Sequence, residues 1–503
     1  MKRRILLSLI IACATSSFAQ AFFGEKPKLV VGIVVDQMRW DYLDRYYDKF
    51  TDDGFRRLIN EGYSCNNCLI NYVPTITAIG HTSVYTGATP ALHGICGNTF
   101  YIDGKKTYCT QDESVEPVGS NNSKKGKMSP RNLLATTIGD QLRLHTDFQS
   151  KVIGVSYKDR ASILPAGHSA NAAYWLDTKN GSFISSTYYM NELPEWVKKQ
   201  NALMAKNKEL KDLGEDIGLS PLCGTIITDM AIATLENEQL GKGNATDMLC
   251  VSYSQTDVIG HKWSTRGEHT DEAYLQLDKD IARLLNSLDI QVGKGNYLVF
   301  LTADHGAAHN WRFMQEHKMH AGPWMEDEGK EAIEDAVSKM AGKKLKPVVN
   351  AVLDYRVYLD KKSIAEQNLD IKEVKRAIID HLIASPNVNF AADCEEVASS
   401  SLPPVLRDRI LMGYHPRRSG DVVFVTEPGY YVYGTWSSPV GTTHGTWNPY
   451  DAHIPLLFMG WKVPHGATSR EVHITDIAPT VCQMLHIQQP NACVGEAITE
   501  ITK

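Results

Sequence analysis

The sequence predicts an α/β protein, a three-layer α/β/α sandwich with capping insertions. Its 503 residues have an ordinary globular composition, with 43% hydrophobic and 22% charged residues, which excludes disordered, collagen-like and coiled-coil chains. Four continuous apolar runs rich in β-branched residues alternate with helical patterns. Such runs are typical of strands buried on both faces of a parallel sheet, and the alternation indicates helices on both sides of that sheet.

The first nineteen residues predict a signal peptide. Residues 2–4 are basic, residues 5–14 form an apolar run, and residues 17–19 have the small-x-small pattern of a cleavage site. We therefore expect a mature chain from Gln20 that is periplasmic or secreted. No later stretch has about 18 uncharged apolar residues, so we expect no transmembrane span. The alternative is a lipoprotein cleavage box that would leave a lipid anchor at Cys13.

The formal net charge of −6 at pH 7 argues against a nucleic-acid partner. Affinity for a phosphate backbone needs a surplus of Lys and Arg on one face of the protein. We expect a monomer that acts on small molecules. Nine cysteines follow Cys13, and in an oxidising compartment Cys96–Cys109 and Cys482–Cys493 are candidate disulfides, with at least one thiol left over.

Each of the four predicted strands is followed by polar residues. The strands, with the residues after them, are 29–35 before Asp36, 151–156 before Lys158, 248–253 before Asp257, and 297–302 before Asp304 and His305. In doubly wound sheets, ligands bind at the carboxyl ends of the parallel strands. We therefore expect these polar side chains to meet at one edge of the sheet.

Helices and two insertions complete the predicted domain, which runs from residue 20 to residue 503. Residues 132–142 and 270–288 have helical periodicity. Residues of about 161–225 and 307–440 interrupt the alternation of strands and helices with Lys-rich helices and a Tyr-rich strand pattern near 422–433. We interpret both stretches as insertions that cap the core.

Six side chains form a candidate metal site with two ions. They are Asp36, Asp257, His261, Asp304, His305 and His444. Asp257 and His261 are four residues apart, which places both on one face of a helical turn. Six ligands suffice for two divalent ions with three protein ligands each, and three ligands with an open position are typical of a catalytic zinc. Taken singly, an Asp after a strand is more often a helix cap or turn residue.

A threonine near the start of a helix is the candidate nucleophile. Residues 71–81 form a polar turn that leads into a helical stretch at 82–86. A hydroxyl at a helix N-terminus faces partial positive charge and free backbone N–H groups, and a metal ion would favour its alkoxide. On this reasoning either Thr75 or Thr77 could serve, and a simple N-cap threonine is the alternative.

Together these motifs resemble the alkaline phosphatase superfamily, and within it the phosphate-irrepressible periplasmic alkaline phosphatases with a threonine nucleophile. The resemblance runs from the strand that ends at Asp36 to the helix start at 475–480. It implies a sandwich of alkaline phosphatase type, two Zn²⁺ ions as cofactors, and Thr77 as the nucleophile. Thr77, Asp36, Asp304 and His305 would bind the second zinc, and the first zinc would be bound by Asp257, His261 and His444.

The resemblance also assigns Asn98, Lys158 and Arg160 to the oxygens of a substrate phosphate. Three donors to non-bridging oxygens suit a dianionic phosphate monoester. We therefore expect an exported alkaline phosphatase that hydrolyses small phosphate monoesters through a phosphothreonine intermediate. A nucleotide pyrophosphatase or phosphodiesterase of the same superfamily is the close alternative, because it shares the threonine and the zinc ligands. A non-catalytic phosphate- or metal-binding protein is less favoured, since it needs no nucleophile.

Overall fold

A computed structural model describes residues 25–434 and 437–502 of the chain. The predicted signal peptide, its cleavage site and Cys13 lie outside the described residues.

The described strands range in length from two to seven residues. They are β1 Leu29–Val35, β2 Tyr63–Cys65, β3 Cys68–Leu69, β4 Thr99–Ile102, β5 Lys105–Tyr108, β6 Pro117–Val118, β7 Val152–Ser156, β8 Ala172–Asp177, β9 Ser182–Ser186, β10 Asp247–Tyr253, β11 Tyr297–Thr302, β12 Gly322–Met325, β13 Val349–Leu353, β14 Arg356–Leu359, β15 Val388–Asp393, β16 Val422–Thr426, β17 Tyr430–Tyr433, β18 His453–Ile454, β19 Leu456–Gly460, β20 Gly466–Thr468 and β21 Val472–His473.

The α-helices alternate with these strands. They are α1 Tyr42–Arg45, α2 Phe55–Glu61, α3 Thr77–Thr86, α4 Pro90–His93, α5 Ser123–Gly126, α6 Ile138–His145, α7 Asp159–Ala166, α8 Glu195–Met204, α9 Lys208–Leu213, α10 Leu222–Asn237, α11 Gln255–Trp263, α12 Glu268–Gln291, α13 Trp311–Glu316, α14 Glu326–Met340, α15 Lys361–Glu366, α16 Ile371–Ala384, α17 Pro404–Gly413, α18 Pro449–Ala452, α19 Ile477–Leu485 and α20 Thr499–Thr502.

A large sheet forms the centre of the described structure, in the strand order β20-β2-β19-β11-β1-β10-β7-β8-β9-β6. Strands β11, β1, β10, β7 and β8 run parallel to one another, and β19 flanks them antiparallel. The register aligns Val35 of β1 with Tyr253 of β10, and Val34 with Thr302 of β11. The carboxyl ends of these three strands therefore lie side by side.

The four predicted strands coincide with β1, β7, β10 and β11, each within one residue of its predicted bounds. Helices α2, α10, α11 and α12 pack together in one group, and helices α3, α6, α7 and α19 pack in another. These two groups are the helical layers of the sandwich, so the predicted fold class is confirmed. Two strands from the predicted insertion at about 161–225, β8 and β9, belong to the central sheet.

The predicted insertion at about 307–440 contains a second, smaller sheet. Its strand order is β13-β14-β16-β15, and helices α14 and α16 pack together beside it. Ile333 of α14, Ile378 of α16 and Val357 of β14 are fully buried in a hydrophobic core separate from that of the large sheet. This stretch therefore has a hydrophobic core of its own.

Two further findings concern predictions about covalent bonds and membranes. Every cysteine in the described part of the chain is a free thiol, so neither candidate disulfide is formed in this structure. Among the described helices, none alone is long and apolar enough to cross a membrane, although the bent pair Lys208–Leu219 and Leu222–Asn237 meets the length and composition criteria together.

Candidate active site

The six predicted metal ligands converge in two clusters of three at the carboxyl edge of the central sheet. The ligand atoms within each cluster lie within 4.8 Å of one another. One cluster contains Asp257, His261 and His444, and the other contains Asp36, Asp304 and His305. We call them the Asp257 cluster and the Asp36 cluster.

The Asp257 cluster depends on helix α11 and on the loop before α18. Asp257 and His261 occupy one face of α11, and His261 Nε2 is 3.1 Å from Asp257 Oδ1. His444 is brought in from the loop, with its Nε2 3.7 Å from the same oxygen. Two imidazole nitrogens therefore face one carboxylate oxygen, an arrangement suited to a single cation between them.

The Asp36 cluster lies directly at the ends of β1 and β11. His305 Nε2 is 3.5 Å from both Asp36 Oδ1 and Asp304 Oδ2. Both of those carboxylate oxygens are buried, and Asp36 Oδ1 has no hydrogen-bond partner among the described residues. Asp304 Oδ2 is 3.1 Å from His81 Nδ1, which also lies 2.9 Å from the Thr77 carbonyl oxygen. A buried carboxylate oxygen without a donor is costly unless a cation neutralises it. These two carboxylate oxygens are therefore candidate ligands of a metal ion.

Hydrogen bonds to the backbone orient all three imidazoles of the clusters. The Nδ1 atoms of His261, His305 and His444 lie 2.8, 2.9 and 2.7 Å from the carbonyl oxygens of Thr442, Gly306 and Thr75. A carbonyl can only accept, so each Nδ1 carries the proton and each Nε2 is the ring nitrogen that faces its cluster. Histidines that bind a metal through one ring nitrogen usually donate a hydrogen bond from the other, which fixes the orientation of the ring.

The site has an excess of buried negative charge. Burial raises the pKa of Asp36 well above its ordinary value, and the negative charges of Asp257 and Asp304 raise it further. Burial also disfavours ionisation of Asp257, but His261 and Lys158 outweigh it, and the pKa of Asp257 lies well below its ordinary value. Cations held by the clusters would relieve the repulsion among these carboxylates.

Thr77 is the first residue of α3 and lies beside the Asp36 cluster. Its Oγ1 is 3.3 Å from His305 Nε2, and its side chain is buried. Thr75 Oγ1 instead donates to Thr446 O at 2.8 Å and accepts from Gly445 N–H at 3.1 Å. The hydroxyl of Thr75 is thus engaged in holding the loop that follows His444, whereas the hydroxyl of Thr77 faces the Asp36 cluster.

Lys158 lies at the junction of the two clusters. Its Nζ is 2.7 Å from Asp36 Oδ2 and 2.6 Å from Asp257 Oδ2. It is the N-cap residue of α7 and is buried. One ammonium group therefore contacts a carboxylate of each cluster, and it is placed to meet an anion that bridges them.

The other two predicted phosphate donors are Asn98 and Arg160. Asn98 Oδ1 accepts from the Ala78 N–H at 3.1 Å, which orients the amide at the start of α3 and leaves its NH₂ as a donor. Arg160 Nη1 donates to Tyr108 Oη at 3.0 Å. Arg160 Nε is buried without a partner in the described part of the chain, so this guanidinium retains donors for an anion.

A family model described as type I phosphodiesterase / nucleotide pyrophosphatase matches residues 30–448. The chain belongs to this family. The predicted membership of the alkaline phosphatase superfamily is thereby confirmed, and the match includes both clusters and Thr77.

Several curated proteins can be aligned with nearly the whole length of this phosphodiesterase-family chain. Alkaline phosphatase PafA of Elizabethkingia meningoseptica is 44% identical over 99% of each chain. A Myroides odoratus protein named calcium-transporting ATPase is 45% identical over 95% of each chain. Alkaline phosphatase PhoV of Synechococcus elongatus is 41% identical over 95% of this chain and 93% of its own. A crystal structure of wild-type alkaline phosphatase PafA matches with a TM-score of 0.91 at 42% identity, over 95% of this chain and 100% of that chain.

The sequence reasoning missed three residues of this phosphodiesterase-family site. His81 Nδ1 is 3.1 Å from Asp304 Oδ2 and 2.9 Å from the Thr77 carbonyl oxygen. Its position four residues after Thr77 on a helix could have indicated this contact. Tyr108, which holds Arg160, lies in a hairpin that no motif marks. The third is Gln37, which directly follows Asp36.

Proposed function

We propose that this chain is an exported, metal-dependent alkaline phosphatase that hydrolyses small phosphate monoesters. The observation that carries the proposal is the meeting of two three-ligand clusters at the N-terminus of α3, where Thr77 begins the helix. The alkaline phosphatases PafA and PhoV, each above 40% identity over almost the whole chain, support the same activity. The basic and apolar pattern of residues 2–19 supports export.

Two Zn²⁺ ions are the proposed cofactors. Three carboxylates and three imidazoles are a mixed oxygen and nitrogen donor set that zinc accepts readily, although manganese or iron would also fit. The first ion would have Asp257, His261 and His444 as ligands, the second would have Thr77 in addition to the Asp36 cluster, and substrate oxygens would complete the coordination. When bound, the ions supply Lewis-acid stabilisation of the phosphoryl oxygens and of the entering and leaving oxygens.

Thr77 is the proposed nucleophile. The Thr77 hydroxyl releases its proton to solvent, its Oγ1 forms a bond to phosphorus as the bond from phosphorus to the ester oxygen breaks, and the leaving alkoxide takes up a proton from solvent. The phosphothreonine is then hydrolysed by water, which restores the hydroxyl and releases phosphate. The position of Thr77 at the N-terminus of α3 supports this role, because the helix dipole stabilises negative charge on its oxygen.

Asn98, Lys158 and Arg160 are the proposed donors to the phosphoryl oxygens. Lys158 Nζ already lies between carboxylates of both clusters, which is the region where a phosphoryl group between two ions would lie. Two cationic donors and one amide favour a monoester dianion over a diester, because the monoester carries more charge on its non-bridging oxygens.

A nucleotide pyrophosphatase or phosphodiesterase activity is the second candidate. The description of the matching family model favours it, and it would use the same clusters and Thr77. The Myroides relative is named an ATPase, and ATP hydrolysis also transfers a phosphoryl group to water. The two candidates therefore differ in the substrate and in the need for Lys158 and Arg160.

The deciding experiment compares kcat/KM for an aryl phosphate monoester and the matching methyl aryl diester. The wild type is compared with a Lys158→Ala/Arg160→Ala double variant. Two charge-assisted hydrogen bonds at about 1.5–3 kcal/mol each predict a loss of roughly 10²–10⁴-fold on the monoester. The control is Lys372→Ala/Arg376→Ala, which removes two exposed charges from α16. A diester preference unaffected by the double variant would refute the phosphatase assignment and favour the phosphodiesterase.

A further inference from the structure

Gln37 has a backbone conformation that is unfavourable for its residue type. It lies in the turn that ends β1, which is closed by a hydrogen bond from Met38 N–H to Val35 O. Gln37 has φ +65° at the third position of this turn, where glycine is the usual residue because a Cβ disfavours positive φ. Residues held in such conformations concentrate at functional sites. We therefore asked which contacts of the Gln37 side chain offset the unfavourable backbone conformation.

One residue supplies a hydrogen-bond donor to each metal cluster. The backbone N–H of Gln37 donates to Asp304 Oδ1 at 3.1 Å, and its side-chain Nε2 donates to Asp257 Oδ1 at 2.6 Å. Gln37 is only 3% exposed, so water does not replace these contacts. Asp304 belongs to the Asp36 cluster and Asp257 to the other, so Gln37 connects the two.

These bonds fix the orientation of both carboxylates. Asp304 Oδ1 accepts from both Gln37 N–H and His305 N–H, the second at 3.0 Å, while Asp304 Oδ2 faces His305 Nε2 and His81 Nδ1. Asp257 is held from both sides, with Gln37 on Oδ1 and Lys158 on Oδ2. Neither carboxylate can rotate without losing a buried hydrogen bond.

Helix α11 is shaped to accept the Gln37 amide. A Cβ on Gly260 would lie 2.0 Å from Gln37 Oε1, closer than any real contact. Gly260 directly precedes His261, a member of the Asp257 cluster. The lack of a side chain at residue 260 therefore allows the amide to pack against the helix that carries two of the proposed ligands.

We propose that Gln37 is a positioning residue for both metal sites, with its side chain orienting Asp257 and its backbone N–H orienting Asp304. The inference rests on the two-metal site of the proposed function. The Gln37→Gly variant separates the two contacts, because it removes the side-chain amide that contacts Asp257 and keeps the backbone N–H that contacts Asp304. Metal binding at the Asp257 cluster should weaken, whereas binding at the Asp36 cluster should persist. Loss of a partner of this kind typically lowers metal affinity about 10–100-fold.

The test measures zinc retention by the zinc-loaded protein during titration with a chelator. We expect the wild type to hold two zinc equivalents, and Gln37→Gly to release one of them at a roughly 10–100-fold lower chelator concentration. Gly260→Ala should cause the same loss, because it displaces the amide. Excess zinc should restore kcat in Gln37→Gly, and the melting temperature of each variant without zinc reports any general loss of stability.

The matched control is Gln239→Gly. Gln239 has the same residue type and a positive φ of +55°, and it is exposed. Its substitution reports the relief of backbone strain together with the loss of one exposed hydrogen bond, from Gln239 Nε2 to Glu236 O. Wild-type zinc retention in Gln37→Gly and Gly260→Ala would overturn the inference. A wild type that binds no zinc would instead refute the proposed metal site, so the two failures are distinguishable.

Discussion

Gly80→Ala should disrupt the proposed active site from within helix α3, without removing any functional group. Gly80 lies one turn after Thr77 and packs against the loop that carries the Asp36 cluster. A Cβ at residue 80 would lie 2.2 Å from Asp304 O and 2.6 Å from Asp304 Cβ. The atoms that it meets belong to the backbone and its first side-chain carbon, so no flexible side chain can move away.

The required displacement follows from these distances. A carbon and an oxygen approach to about 3.2 Å, so α3 and Asp304 must separate by roughly 1 Å. Metal ligands tolerate about 0.2 Å, and a misplacement of 1 Å costs on the order of 10²-fold in rate. Overpacking costs about 1–3 kcal/mol, of which the better helix propensity of Ala offsets about 1 kcal/mol. Activity should therefore fall much more than stability.

The assay combines kcat/KM for an aryl phosphate monoester, zinc content and melting temperature. Gly243→Ala is the matched control, because the nearest atom to its added Cβ is Ala245 N at 4.0 Å. We expect Gly80→Ala to lose about 10²-fold or more in kcat/KM and to retain less zinc, with the control unchanged. Wild-type kcat/KM and zinc content in Gly80→Ala would refute the argument that this contact sets the geometry of the site.

Four further outcomes are expected. Thr77→Ala should lower kcat on the order of 10³-fold or more while the protein stays folded, and no phosphoenzyme should be trapped; unchanged turnover would remove Thr77 from the mechanism. EDTA should abolish hydrolysis and lower the melting temperature, and added zinc should restore both; activity that resists chelation would exclude a metal mechanism. Tyr108→Phe removes the acceptor of Arg160 and should lower monoester kcat/KM about 10-fold, whereas equal values would exclude that support. Burial raises the pKa of Asp354 from 3.8 to about 7, so the native state binds more protons than the unfolded state, and stability falls as pH rises from about 4 to about 7. Asp354→Asn should remove this decline in scans of melting temperature against pH, and a decline that persists would assign it to other groups.

The sequence predicted the central strands well, because strands buried on both faces of a sheet need continuous apolar runs. Strands β1 and β11 have the predicted bounds. The helix predicted at 132–142 instead begins at Ile138, where Thr137 and Asp140 form a capping box. The predicted start of this helix was wrong. The start depends on which side chains accept hydrogen bonds from the backbone N–H groups of the first turn, and apolar periodicity does not contain that information.

By itself, the sequence determined the fold class and the residue types available for chemistry, because burial patterns and the polar residues after strands are local properties. Only the tertiary structure showed how Thr75 and Thr77 differ in their contacts, since the partners of the Thr75 hydroxyl are at Gly445 and Thr446, some 370 positions away in the chain, and the Thr77 hydroxyl lies beside His305. It also showed that Gln37 donates hydrogen bonds to Asp257 and Asp304. Contacts between such distant residues arise when the sheet brings the ends of its strands together, and no local pattern records them.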